Sequence, residues 1–340
     1  MDPFAKRQIG RTGVWLTPLG LGGAPIGGHQ SPNAEGLYRV ADYAEGVAAT
    51  RCAYDLGIRY FDTAPFYGIG RSEVRYGAGL SARPRNSFVL STKVGRVLEP
   101  DRYRNFTLIG PDGLAPLLPR FDYTREGIRR SHAESLYRLL TDHVDILFLH
   151  DTTGEELQEQ AVKEVLPELA RMRREGLVRA IGAGTSDLSA LERFVREFDL
   201  DVVLLPNHYT LLSQQALDSF LPLCQERNVS IVIGTPYCSG ILASDLSGPA
   251  AYLYQPAPPE VMDKAKAINA VCKRHGVGLK TAALQFVLAH PSVVSVIPGA
   301  RNTAEIEENA RVAAADIPSD FWAELKHEGL IHSDAPVPSA

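Results

Sequence analysis

The sequence holds little that could form a disulfide framework, a metal centre or a membrane span. Its four cysteines, Cys52, Cys224, Cys238 and Cys272, are scattered over 340 residues, and no two of them make a C-x-x-C pair. That usage predicts reduced thiols and a cytoplasmic protein. The nine histidines show neither H-E-x-x-H nor any clustered ligand spacing, so no metal is expected. No apolar run approaches the roughly 18 residues of a bilayer span. The opening MDPFAKRQIG has no apolar signal core, so secretion is not expected. An excess of one charge is missing too. Lys and Arg number 35 against 40 Asp and Glu, a net charge of −5, which gives no reason to expect a nucleic acid or an anionic membrane as partner.

What is present is a regular alternation. Apolar residues make up 45% of the chain, ample for one large core. Residues 8–16 read as a small hairpin with Gly-bearing turns, and residues 19–25 as a first inner strand. Helical patterns at 44–55, from 72, and at 123–140, 161–175, 188–197, 215–227, 260–275, 281–289 and 304–314 then alternate with short apolar strands. The strands end near 62, 93, 150, 183, 205, 234 and 298. Strands alternating with helices predict a parallel sheet. Eight such units predict a closed α/β barrel, a (β/α)8 TIM barrel, as one domain over residues 1–340. Two connections, 95–122 and 237–259, are long. Long loops in a compact domain are usually functional, and Tyr103, Phe106, Phe121, Tyr252 and Tyr254 predict that they wall a site.

Three strand ends carry the chemistry. Tyr60-Phe61-Asp62-Thr63-Ala64-Pro65-Phe66-Tyr67-Gly68 closes a strand on Asp62 and places Tyr67 on the loop beyond. Pro65 stops regular structure. The next strand ends in Lys93, and the one after it in His150. One rim of an α/β barrel gathers such residues into an active site. A nearby ammonium favours a phenolate, and Asp62 would hold that ammonium in a partly buried place. A histidine opposite can hydrogen-bond an oxygen that alternates between alcohol and carbonyl. Asp62, Tyr67, Lys93 and His150 together make a proton-transfer site for such a couple. A hydride carrier must come from outside, since no side chain supplies one.

These pieces resemble the aldo-keto reductases over nearly the whole chain. The likeness rests on Gly57-Ile58-Arg59-Tyr60-Phe61-Asp62-Thr63-Ala64, on Ser91-Thr92-Lys93, on Asp145-Ile146-Leu147-Phe148-Leu149-His150, and on Val296-Ile297-Pro298-Gly299 followed by Glu308-Asn309. Phe121-Asp122-Tyr123, Tyr209-Thr210-Leu211-Leu212 and Ser239-Gly240-Ile241-Leu242 resemble the members of that family that oxidise sugars and hemiacetals, among them dehydrogenases of aldoses, L-fucose and pyridoxal. The resemblance implies Tyr67 as proton donor or acceptor, supported by Lys93, Asp62 and His150. It also implies a nicotinamide lying across the barrel mouth, met by Gly22, Thr185, Ser186, Asn207, Gly234, Ser239, Gly240, Leu242, Gly299, Arg301, Glu305, Glu308 and Asn309.

The sequence departs from the family's pattern at Gly184-Thr185-Ser186-Asp187, at Pro206-Asn207-His208 and at Gly234, where contacts to the nicotinamide ring would fall. Gly20-Leu21-Gly22-Gly23 does not complete a G-x-G-x-x-G fingerprint, and close packing also accounts for it. His208 either meets substrate or covers the rim. At the two positions where NADP-using relatives carry a lysine and an arginine, this chain has Gly299 and Glu305. An acid there opposes a phosphate, so NAD is the expected cofactor, with Arg301 the one nearby cation that leaves NADP possible. The expected partner is a small molecule, a sugar or pyridoxal hemiacetal, acting on a monomer or small homo-oligomer. Alternatives are a general aldehyde or ketone reductase, a non-enzymatic barrel subunit, and a lyase or isomerase using Lys93 as a Schiff-base amine.

Overall fold

The computed structural model describes residues 2–28, 41–100 and 117–338. Eight strands run around a barrel: Leu21–Gly22, Tyr60–Asp62, Val89–Val94, Ile146–His150, Ala180–Gly184, Val202–Leu205, Ser230–Ile233 and Val293–Val296. They hydrogen-bond in chain order, and every pairing among them is parallel. Parallel bridges Leu19↔Val296 and Gly22↔Gly299 close the ring. Strands covered on both faces read as continuous apolar runs, and all of Ile146–His150 is buried. Side chains alternate across each strand. Ile146 and Phe148 therefore pack inside with Tyr60, Val202 and Val232, while Leu147 and Leu149 join the larger core under the helices. Among the described residues, no helix is long and apolar enough to cross a membrane.

An antiparallel hairpin, Arg7–Gln8 with Trp15–Leu16, seals one end. Its Ile9, Val14 and Leu16 belong to the inner cluster. Arg7 Nη1 donates to Val293 O at 2.7 Å, and Gly10 N to Ser230 Oγ at 3.1 Å. Those two acceptors begin their strands, so the hairpin covers the N-terminal end. The opposite rim is left for the loops.

Several elements differ from the sequence expectation. The first inner strand is only Leu21–Gly22. The one-turn helix Ala24–Gly27 follows, with Pro25 in its first turn, where a missing N–H costs nothing. Connection 95–122 is regular at both ends, over its described residues. Its ends pair as an antiparallel ribbon, Arg96–Pro100 with Leu117–Phe121; Tyr103 and Phe106 lie outside the described residues. Connection 237–259 holds the 3-10 segment Cys238–Ala243 and a two-rung ribbon, Ala251–Tyr252 with Gln255–Pro256. The helix expected at 161 begins earlier, at Glu155. It widens into a π turn over Ala161–Val165 before Leu166–Arg174. Pro167 cannot donate to the turn before it, which interrupts the regular ladder there. The segment expected as one helix at 215–227 is split into Gln215–Leu217 and Phe220–Glu226.

The loop carrying Tyr67 is set by backbone contact. Gly68 has φ +64°, and a Cβ on it would lie 1.9 Å from Gly27 O. A Cβ on Gly27 would lie 2.4 Å from Tyr67 O. Two glycines thus let this loop rest on the one-turn helix. Gly68→Ala is expected to destabilise the protein by about 1–3 kcal/mol, through overpacking against backbone and a left-handed φ. Thermal melting checks this; an unchanged melting temperature would contradict the contact.

Candidate active site

The four residues expected to act together do meet. The ladder pairs Asp62 with Ser91 and Lys93 with Phe148, so adjacent strand ends sit side by side. Lys93 Nζ donates to Asp62 Oδ1 at 2.6 Å and to Thr63 O at 2.8 Å. The other carboxylate oxygen of Asp62 accepts from Ser91 Oγ at 2.7 Å. Both members of the pair are at most 1% exposed. Two charges that dry need hydrogen bonds on every side to offset desolvation, and these three supply them. Lys93 Nζ also lies 4.5 Å from the centroid of the Tyr67 ring, over its face. The His150 ring meets the Tyr67 ring edge to face, centroids 5.6 Å apart. Tyr67 is half-buried at the rim.

The electrostatics differ in one respect from the sequence expectation. Burial, then the carboxylates of Asp62 and Asp151, hold the Tyr67 phenol well above its usual range, and the cation opposing them is Arg96. Lys93 is spent on Asp62 and Thr63 and reaches the ring face. His150 titrates at about 3, pushed down mainly by burial and further by Lys93 and Arg96, with Asp151 pulling the other way. The imidazole is therefore neutral at physiological pH, and only one of its nitrogens carries a proton.

Sequence reasoning missed a second layer. Arg96 Nη1 contacts Asp151 Oδ2 at 3.1 Å, and its guanidinium lies 4.5 Å from the Phe66 ring and 4.3 Å from the Phe121 ring. Asp151 adopts φ +44°, and Tyr123 Oη donates to its carbonyl at 2.7 Å. One signal was available: Asp151 directly follows His150, and Arg96 stands three residues after Lys93.

The Aldo/keto reductase family model matches residues 18–328. D-threo-aldose 1-dehydrogenase of a Pseudomonas species is 41% identical over 329 residues, covering 94% of this chain and 96% of its own. The chain belongs to the aldo-keto reductase family. Pyridoxal 4-dehydrogenase of Microbacterium luteolum is 34% identical, covering 96% of this chain and 98% of its own. A solved aldo-keto reductase of Bacillus halodurans, in its holo form, superposes with a TM-score of 0.74 at 24% identity, covering 98% of each chain. This aldo-keto reductase is an oxidoreductase enzyme built on the TIM barrel.

The positions expected to meet its cofactor spread along the same rim. Gly22 and Gly299 face each other across the barrel seam. A Cβ on Gly299 would lie 2.4 Å from Pro25 Cγ, so a lysine fits there only if Pro25 moves. Thr185 is buried, its hydroxyl accepting from Asp187 N at 3.3 Å. Ser186 offers its carbonyl to His208 Nε2 at 2.7 Å. Asn207 has φ +63° and accepts from Thr235 Oγ1 through its Oδ1 at 2.8 Å. Gly234 directly follows the seventh strand, its N–H on Leu205 O at 3.1 Å.

Cys238, Ser239 and Gly240 take φ values of +48°, +61° and +100°, and nothing stands within 4 Å of a Cβ placed on Gly240. Leu242 points into the core. Asn309 is also buried, accepting from Tyr237 Oη at 2.9 Å, and Glu308 pairs with Lys280 at 2.5 Å. Arg301 gives Glu305 a backbone hydrogen bond at 2.8 Å and one from Nε at 2.9 Å, with Nη2 on the same carboxylate.

Removing one member of the buried pair leaves the other charged and dry. Asp62→Ala is expected to destabilise by about 3–5 kcal/mol. The double variant Asp62→Ala, Lys93→Met is expected to recover part of that loss. Denaturant unfolding of both decides it, and a double variant no more stable than the single one would show that the pair does not set local stability.

Proposed function

We propose that the protein is a dehydrogenase that oxidises the anomeric carbon of a cyclic hemiacetal, an aldose such as L-fucose or a D-threo-aldose, to a lactone, using NAD. The reading takes residues 1–340 as one barrel unit acting on a small molecule. The observation that carries it is the meeting of Tyr67, the Lys93–Asp62 pair and a neutral His150 at one rim. The sugar- and pyridoxal-oxidising activities in the names of the relatives support the substrate class.

The chain fits a dinucleotide. Three successive residues of positive φ, Cys238 to Gly240, turn the chain here, with Cys238 N and Gly240 N bonded to Thr235 O and Tyr237 O, and the open space over Gly240 lets a ligand approach the main chain. A bound oxidised nicotinamide would supply the hydride acceptor. Tyr67 then takes the hydroxyl proton at its Oη. Lys93 holds the ring from its face, fixed in turn by Asp62. His150, neutral, orients the reacting oxygen by a hydrogen bond. Tyr67→Phe is expected to lower kcat by about 10²–10⁴-fold with cofactor binding kept. The assay is a panel of aldoses and pyridoxal with NAD, followed by absorbance of the reduced cofactor; near-wild-type turnover in the variant would remove the assignment. Turnover of pyridoxal alone would favour that substrate over the sugars.

Preference for NAD is supported by the Arg301–Glu305 pair. Burial raises Glu305, but hydrogen bonds from Arg301 more than offset this and keep its carboxyl below the usual range. The guanidinium is therefore neutralised where a 2′-phosphate would need it. Glu305→Gln removes that neutralisation and is expected to raise kcat/KM for NADP by roughly 10- to 150-fold relative to NAD, the worth of a charge-assisted hydrogen bond. Initial rates with both cofactors check this; a wild type already favouring NADP would overturn it.

A further inference from the structure

Arg96 joins three separate rim segments. It stands directly after Gly95, whose φ of +108° turns the chain at the end of the third strand. Its backbone pairs with Phe121 across the ribbon. Its guanidinium lies between the rings of Phe66, on the Tyr67 loop, and Phe121, where a cation gains from both ring faces. Its Nη1 reaches Asp151, one residue beyond His150, and Asp151 Oδ2 lies 3.6 Å from His150 Nε2. The side chain is only 12% exposed, which no ordinary surface arginine would be. The tyrosine loop, the ribbon and the histidine strand end thus share one side chain.

We propose that Arg96 is a positioning residue of this active site, holding Asp151 beside His150 and placing a fixed positive charge on the mouth side of Tyr67. The inference rests on the reading of Tyr67 as the proton-transfer group, and it adds a residue to that reading. The groups facing the phenol are Asp62 and Lys93 from the second and third strands, His150 and Asp151 from the fourth, and Arg96 from the ribbon; Tyr60 and Tyr76 also sense it from the core. Two of these oppose each other at the mouth. Asp151 raises the phenol and Arg96 lowers it. Removing each should therefore move the proton-transfer step in opposite directions along the pH axis. A residue that only braced the fold would not do that.

The experiment is the pH profile of kcat for oxidation with NAD, run on both L-fucose and pyridoxal, for Arg96→Met, Arg96→Lys, Asp151→Asn and Tyr67→Phe. For oxidation the phenolate is the active form, so the acid limb reports Tyr67. Arg96→Met is expected to move that limb to higher pH by about one unit, and Asp151→Asn to move it to lower pH. Arg96→Lys, which keeps the charge and loses the planar contact with two rings, should leave the limb near its wild-type place while lowering kcat. Limbs of Arg96→Met and Asp151→Asn that coincide with the wild type, or that move the same way, overturn the proposal. If Arg96→Met does not fold, an Asp151→Asn limb that does not move to lower pH, or an Arg96→Lys limb displaced from the wild type, overturns the proposal. A Tyr67→Phe variant that keeps turnover would instead sink the underlying reading of the tyrosine, which separates the two failures.

Discussion

The ion pair between Lys93 and Asp62 is the constraint on which the rest of the site depends. Neither charge has access to water, so each is tolerable only because the other is 2.6 Å away and because Thr63 and Ser91 satisfy what remains. Moving either strand by one rung would turn its charged side chain from the barrel interior toward the helices. The pair therefore ties catalytic geometry to strand register. An enzyme built this way cannot loosen its chemistry without loosening its barrel.

Tyr67 is placed by different means. No strand carries it. Pro65 breaks regular structure, Gly68 takes a left-handed turn, and contact with Gly27 fixes how far the loop stands from the first strand. The phenol sits between an apolar wall that opposes its ionisation and a set of charges that partly cancel. His150 is kept neutral by the same burial. Low dielectric around both rings makes each nearby charge count for more than it would in water, which is why an arginine on the ribbon bears on the reaction.

Much of this was legible in the sequence because a charged residue ending an apolar run has few structural explanations. Asp62, Lys93 and His150 stood out for that reason, and the alternation around them named the barrel. Arg96 did not, because an arginine after a glycine reads as a solvated loop charge. Only the pairing of residues 96–100 with 117–121 brings Phe121 over it. The extent of the first strand was overestimated because Leu19 to Pro25 is apolar throughout, yet Pro25 starts a helical turn instead. The break at Ala161–Val165 was hidden because helical periodicity survives one wide turn. Asn309 matched a family motif, but its inward bond to Tyr237 is a tertiary contact that no spacing reveals.

The seam of the barrel gives the fold an uneven strength. The first strand offers two residues, and the beginning of the chain meets the last strand and the turn after it through the bridges at Leu19 and Gly22, through Gly20 N on Val296 O, Val296 N on Pro18 O and Gly22 N on Pro298 O, and through Ser295 Oγ on Thr17 O. Elsewhere, neighbouring strands share ladders of up to five rungs. Arg7 stitches the seam's lower end, reaching Leu288 and Val293. Its upper end is fastened by close approach of two glycines. A nucleotide lying over that upper end would act as a clasp, so occupancy and barrel integrity would rise together by mass action.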